Sequence, residues 1–392
     1  MSTKGGRRQS QSLFTAAPLP QAPLDDAQRI ACLRLIRSDN VGPVTFRELI
    51  NHFGGAELAL EALPELAARG GTRRKIRITP RADALRELER AAQIGAAPVF
   101  TVEPGYPPAL AAIEAPPPML YVKGRTDVLA RSAVAIVGSR QASAAGHKLT
   151  RLFADGIGAA GYIVVSGLAR GIDAAAHGAS LATGTIAVVA GGVDIIYPPE
   201  NSALHAAIAE SGAIVSEMPP GYDPRATDFP RRNRIISGIS LGVLVIEAAK
   251  RSGTLSTARY AGEQGREVFA VPGHPLDPRA EGTNQLLKAG ATLVTSPEDV
   301  IEALAPLSGL RTTAFEDAAP PDWTLPRQEP PPLLDDSDRA RVLDALGPAP
   351  VDIDALSRAT GLGIRAINVV LMELDLAGRI VRHGQQLVSR TQ

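Results

Sequence analysis

The sequence predicts an α/β protein: a Rossmann-like, doubly wound parallel sheet, with a small helical N-terminal domain before it and a C-terminal winged-helix domain after it. Three observations lead there. Short β-branched segments between residues 97 and 305 alternate with Ala-rich helical stretches, the pattern of a parallel sheet covered by helices on both faces. Ahead of them, apolar residues recur at three- and four-residue spacings. Residues 335–392 read as three helices followed by a hairpin.

Each element can be justified in order. A chain of 392 residues is long enough for two or three domains. Residues 1–25 carry Lys4, Arg7 and Arg8, then Ser, Gln and Pro, with no apolar stretch of the kind a signal peptide needs. They read as a disordered tail. No run of apolar residues is long enough to span a membrane. The single cysteine, Cys32, excludes a disulfide within one chain, and the cytoplasm is the expected compartment. Lys plus Arg and Asp plus Glu both number 41, for zero net charge. An anion site must therefore come from local clusters or from backbone amides at helix starts.

In residues 26–96, Ile30, Leu33 and Ile36 mark one helix, and Phe46, Leu49, Ile50 and Phe53 another. Asn40-Val41-Gly42-Pro43 separates them as a turn. This resembles a helix-hairpin-helix unit, whose second helix start offers amides to a DNA phosphate; a plain helical hairpin fits the same residues. Arg69 to Lys75 is basic, either a phosphate-facing patch or a solvated loop.

In residues 97–305 the strand candidates are Ala133–Val137, Ile163–Val165, Thr185–Val189, Ala213–Val215, Val243–Ile246 and Glu267–Val271. Ligands of such sheets bind at the carboxyl ends of the strands, so the loops there carry the functional reading. The first reads Gly138-Ser139-Arg140. The glycine admits backbone, the serine brings a hydroxyl, and the arginine brings a fork for phosphate. The glycine fingerprint of dinucleotide sites and the Walker A sequence are both missing, so no NAD, ATP or other cofactor is expected. The second loop, Ser166-Gly167-Leu168-Ala169-Arg170-Gly171-Ile172-Asp173, runs into a helix that carries His177. Asp173 and His177 form either a polar cluster against a nucleotide or a helix cap with its partner. The third loop holds Gly191-Gly192, a pair suited to close backbone approach, and then Tyr197-Pro198-Pro199-Glu200-Asn201.

The next loop is Phe229-Pro230-Arg231-Arg232-Asn233-Arg234. It places three arginines at a helix start, where dipole and free amides already favour anions. Phe229 either stacks on a base, worth about 1–3 kcal/mol, or packs beneath the loop. The fifth strand ends in Glu247, followed by Lys250, Arg251 and the small cradle Ser252-Gly253-Thr254. Glu247 is the main candidate for an acid, although a carboxylate there can equally hold arginines. Val271-Pro272-Gly273 and Glu281-Gly282-Thr283-Asn284 complete the edge. The six histidines show no metal-ligand spacing.

Residues 306–334 hold Pro306, Pro320, Pro321, Pro326, Pro330, Pro331 and Pro332 and read as a linker that contains Trp323. In residues 335–392 the helical patterns are Asp338–Leu346, Ile353–Thr360 and Gly363–Leu376, with strands at Arg379–Arg382 and Gln386–Ser389. The exposed side of the third helix carries Arg365 and Asn368 together with Glu373 and Asp375. A DNA-reading helix needs more positive charge, so this domain is expected to contact a protein or to touch DNA weakly.

Taken together, Gly138-Ser139-Arg140, Ser166 to His177, Gly191-Gly192, Phe229 to Gly238, Glu247 to Thr254 and Val271-Pro272-Gly273 resemble the DprA/Smf family. The resemblance covers most of residues 130–290, and the flanking domains fit it as well. It implies a non-enzymatic protein of natural transformation. Such a protein binds and protects incoming single-stranded DNA, loads the RecA recombinase, and is a homodimer joined through its Rossmann-like domain. By position it implies that Arg140 is a main DNA contact, with the Phe229–Arg234 loop and Ser252-Gly253-Thr254 beside it. Two departures stand out: Glu281, where the family often has Ser, and the acids on the third helix of the winged helix. The alternative is a mononucleotide-processing enzyme of a related Rossmann-like fold. Such enzymes use a Pro-Gly-Gly-x-Gly-Thr run followed by Glu, and Ser252-Gly253-Thr254 lacks both flanks.

Overall fold

In the computed structural model the described residues are 23–316 except 73 and 74, then 334–384 and 386–391. The expected tail up to residue 22, Arg73 and Arg74 of the basic stretch, and residues 317–333 with Trp323 lie outside them.

Four helices form the first domain: α1 Asp26–Ile36, α2 Pro43–Phe53, α3 Ala56–Arg69 and α4 Arg81–Gln93. Asp25 and Gln28 close a capping box at the start of α1. Asn40 turns the chain in the left-handed region, φ 59°, a conformation that Asn tolerates better than most residues. Pro43 opens α2 at a position whose N–H would have no helical partner. Leu33, Leu35, Phe46, Leu49 and Leu63 fill the core between these helices.

The central domain runs β1 Ala96–Phe100, α5 Pro108–Ala111, β2 Met119–Gly124, β3 Ala133–Val137, α6 Ala144–Ala159, β4 Ile163–Ser166, α7 Ile172–Ser180, β5 Thr185–Val188, α8 Ser202–Ser211, β6 Ala213–Ser216, α9 Asp228–Ile239, β7 Gly242–Val245, α10 Thr254–Glu263, β8 Glu267–Ala270, α11 Glu281–Lys288, β9 Thr292–Leu293 and α12 Pro297–Glu316. The sheet order is β1-β2-β6-β5-β4-β3-β7-β8-β9. Strands β3 to β9 pair in parallel. The six expected strands are all present. β1 and β2 add an antiparallel edge that periodicity did not suggest; Pro98 speaks against a strand and is accommodated because β1 is the edge. The chain moves outward from β3 through β4 and β5 to β6, then returns to the other side of β3 as β7. The loops after β3 and β7 therefore part company, which opens a crevice at the carboxyl edge.

The segment read as linker begins later than expected, because α12 continues through Pro306 to Glu316. The other prolines of that segment all fall at 320–332, and residues 307–316 include helix formers such as Leu310, Arg311 and Ala314.

The last domain consists of α13 Asp336–Ala345, β10 Val351–Asp352, α14 Ile353–Thr360, α15 Ile364–Leu376, β11 Ile380–His383 and β12 Leu387–Arg390, with sheet order β10-β12-β11. Ile367, Val370, Leu371 and Leu374 of α15 pack into its core. Met372 and Leu376, on another side of α15, are buried in the core of the first domain. The acidic exposed face expected for this helix is not there. Glu373 is fully buried and accepts from Arg339 at 2.7 and 3.0 Å. Asp375 accepts from Thr45 at 2.5 Å and from Arg382 at 3.2 Å. Among the described residues no helix is long and apolar enough to cross a membrane.

Candidate nucleic-acid interface

The rim of the crevice is the loop after β3, which the loop after β4 supports. Gly171, with φ 75°, lies against the backbone of Ser139 and Arg140, where any Cβ would collide with the Ser139 carbonyl. Ile172 N–H donates to Ser139 O at 3.2 Å. Arg140 is thereby held at the rim, exposed, with its guanidinium carbon 5.6 Å from the centroid of Phe229. Tyr197, half exposed, sits beside that ring with centroids 5.4 Å apart and planes tilted by 53°. A cation over one of two adjoining rings is a surface on which unpaired bases stack. Phe229 is partly exposed, so packing beneath the loop does not describe it fully. Tyr197 was not among the expected contacts; its signal was a Tyr-Pro-Pro run in a strand-end loop.

A charged cluster lies below this rim. Arg232 is buried and donates to Gly167 O at 2.7 Å and to Val188 O. Asp173 accepts from Gly167 N–H at 3.2 Å and Ala169 N–H at 3.3 Å. Both side chains press on Gly167, where a Cβ would lie 2.7 Å from Arg232 Nη1 and 2.8 Å from Asp173 Oδ2. Burial pulls the Arg232 guanidinium down to about 10 and pushes the Asp173 carboxyl up, while each opposes the other's shift by its charge. Thr185 Oγ1 donates to Val164 O at 2.8 Å and so accepts from His177 Nδ1–H at 2.7 Å. Burial, with Arg232 nearby, pulls His177 down to about 3. Ser166 is also buried and donates to Ile136 O. Leu168 takes φ 54°, an uncommon conformation for a bulky residue; Asn201 Nδ2 donates to its carbonyl at 2.9 Å.

The expected contact residues thus separate into two groups. Arg140, Arg170, Arg231, Lys250 and Gly253 are exposed, and Ser139, Gly171, Phe229, Asn233, Arg234, Ser252 and Thr254 are partly exposed. Ser166, Gly167 and Arg232 lie beneath the surface, as do Gly138, Gly191 and Gly192. For these the expected phosphate contact gives way to a structural role. The double glycine meets its own chain: Gly192 N–H donates to Tyr222 O at 2.9 Å, and a Cβ on Gly191 would lie 2.8 Å from that same oxygen. The three arginines of α9 also diverge. Arg232 points inward. Arg234 is clamped by both oxygens of Glu217 (2.8 and 2.9 Å) and by Ala115 O (2.8 Å). Arg231 stays at the rim, 3.1 Å from Glu217. Arg170 pairs with Glu200 at 2.5 Å. On the loops after β3 and β7, Arg140, Lys250 and Arg251 have no carboxylate partner among the described residues, so they carry uncompensated positive charge at this edge.

Glu247 holds no arginine. Its carboxylate accepts from Ser143 N–H at 3.0 Å and Ser143 Oγ at 2.5 Å, at the start of α6. Ser143 Oγ in turn accepts from Gly146 N–H at 2.9 Å. The amide end of α6 is therefore occupied by a side-chain anion. The start of α10 differs. Thr254 Oγ1 donates to Gly138 O at 3.0 Å and ties the two crevice loops together, and Ser252 Oγ accepts from Thr254 N–H at 3.2 Å. Gly253 beside them stands in open space. Among the described residues no group of three or more His, Cys, Asp and Glu is placed to hold a metal.

A Rossmann-like centre with a cationic, ring-bearing edge, flanked by helical and winged-helix modules, defines the class. The model of DNA recombination-mediator protein A matches residues 98–305. A DprA-like N-terminal HHH domain matches 26–91, and a DprA winged helix domain matches 326–386. The chain belongs to the DprA/Smf family. It is 43% identical to protein Smf of Escherichia coli over 278 residues, 70% of this chain and 72% of that one. It is 45% identical to DNA processing protein DprA of Streptococcus pneumoniae over 198 residues, 50% of this chain and 70% of that one. The X-ray structure of the S. pneumoniae protein superposes with a TM-score of 0.55 at 35% identity, covering 66% of this chain and 86% of that one. A structure of DNA processing protein A from Helicobacter pylori, described by its single-stranded DNA binding mode, gives 0.51 at 29% identity, covering 55% and 98%.

Proposed function

We propose that the chain binds single-stranded DNA along the carboxyl edge of its central sheet. The phosphates meet Arg140, Arg231, Lys250 and the Gly253 amide, and a base stacks on Phe229 and Tyr197. The observation that carries this reading is the Arg140–Phe229–Tyr197 arrangement at the rim. It pairs a phosphate-binding cation with a π-face that accepts any base. The relatives' names support DNA as the ligand, and the H. pylori structure, described by its single-stranded DNA binding mode, supports the choice of strand. Within the same proposal the chain acts as a mediator of recombination, delivering bound DNA to RecA recombinase as a homodimer joined through the Rossmann-like domain. The family description as a recombination mediator supports that step.

The test is binding of homopolymer single strands at several salt concentrations. Log affinity should fall with log salt by about 0.7 for each phosphate neutralised, with little preference between bases. Arg140→Ala should lower affinity sharply and flatten the slope. A slope near zero in the wild type, or equal affinity for duplex, would count against the reading.

A further inference from the structure

We infer that the winged helix is masked: the helical domain covers its third helix, so that helix cannot enter duplex DNA while the two domains are docked. A winged helix reads duplex by laying its third helix in the major groove, and a helix-hairpin-helix uses the amides at its turn. Here α15 is buried on two sides. One side faces its own core, and Met372 and Leu376 on the other enter the core of the helical domain. A helix that is apolar all round needs a second protein surface to cover it, and the run Val369-Val370-Leu371-Met372-Glu373-Leu374-Asp375-Leu376 has that character.

The contact extends to the turn itself. Asn40, the left-handed residue of the hairpin, donates to Leu376 O at 2.9 Å. Thr45 on α2 donates to Asp375. Arg382 bridges Asp375 and Glu48, 3.2 and 2.7 Å away, and only 7% of its side chain is exposed. Gly70 marks the closest approach. A Cβ there would collide with the Glu373 carbonyl and lie 2.8 Å from Ala377 Cβ. Its φ of −68° is open to any residue, so the need for glycine comes from the docked helix and not from the local backbone. At the far end of the wing, a Cβ on Gly384 would lie 2.5 Å from Glu114 of the central domain.

Two variants of the full chain test this. In Thr45→Cys/Asp375→Cys, whose side chains meet across the interface, a short bifunctional thiol reagent should join the pair within one chain. Absence of the link, or a link only between chains, overturns the inference. Gly70→Leu should wedge the domains apart. Hydrogen exchange at α15 should quicken and duplex affinity should rise several-fold, with a salt slope steeper by about 0.9 for each phosphate newly neutralised. Affinity for single strands should stay the same. Faster exchange without a gain in duplex binding overturns the masking, and unchanged exchange overturns the packing at Gly70. Gly70→Ala serves as the milder variant should Gly70→Leu express poorly.

Discussion

At the scale of single residues, the site depends on side chains that never reach its surface. Arg232, Asp173 and His177 hold the second loop from below. His177 gives this support a pH dependence. Its folded form is neutral, held down to about 3 by burial and by Arg232, while the unfolded chain takes up a proton below about 6.5. The stability it contributes is therefore complete above that value and is lost as pH falls toward the folded pKa. Thermal unfolding followed from about pH 7 to pH 4.5 should show this loss, and His177→Asn, which keeps a donor for Thr185, should flatten it. In the sequence Arg232 looked like a ligand, and Asp173 and His177 could be either a ligand cluster or a helix cap with its partner, because burial cannot be read from residue type. Arg232 sits between Arg231 and Asn233 with nothing local to set it apart; the turn of α9 alone sends it inward.

At the scale of elements, most of the fold was legible. Six of the seven parallel strands, all but the two-residue β9, and the three helices of the winged helix follow from β-branched runs and apolar spacing. The antiparallel edge did not follow, because Pro98 obscured β1 and nothing local announces an added strand. The starts of α6 and α10 were equally hard to tell apart, since Ser and Gly open both. Their difference comes from Glu247, which is distant in sequence from Ser143. Glu247→Ala should lower the unfolding free energy by about 1–2 kcal/mol through loss of the helix-end anion, measured by urea titration. Glu247→Gln should cost less, because it retains an acceptor for Ser143.

At the scale of the whole molecule, zero net charge shapes the binding. A protein coated in cations would draw nucleic acid everywhere. Of the cations on the loops after β3 and β7, Arg140, Lys250 and Arg251 have no carboxylate partner among the described residues. Arg81→Ala and Arg358→Ala, exposed positions on the two terminal domains, should leave single-strand affinity unchanged, whereas Lys250→Ala should weaken it; titration by fluorescence anisotropy checks both. The expectation that the winged helix meets a protein came from a tally of its acids. That expectation also allowed weak DNA contact, and the tally fails in the structure, since Glu373 pairs with Arg339 and Asp375 with Thr45 and Arg382.

Glu247 also bears on what the crevice refuses. In dinucleotide enzymes of this architecture a pyrophosphate sits at a helix start beside the switch point. In this chain a carboxylate already resides at the start of α6. A soluble nucleotide, abundant in any cell, would have to displace that resident charge before it could lodge there. A polymer laid across the rim at Arg140 and Lys250 has no such competitor to evict. The architecture of a coenzyme site is thus kept while its vacancy is closed from within, and the outer edge is the place the proposed DNA strand would occupy.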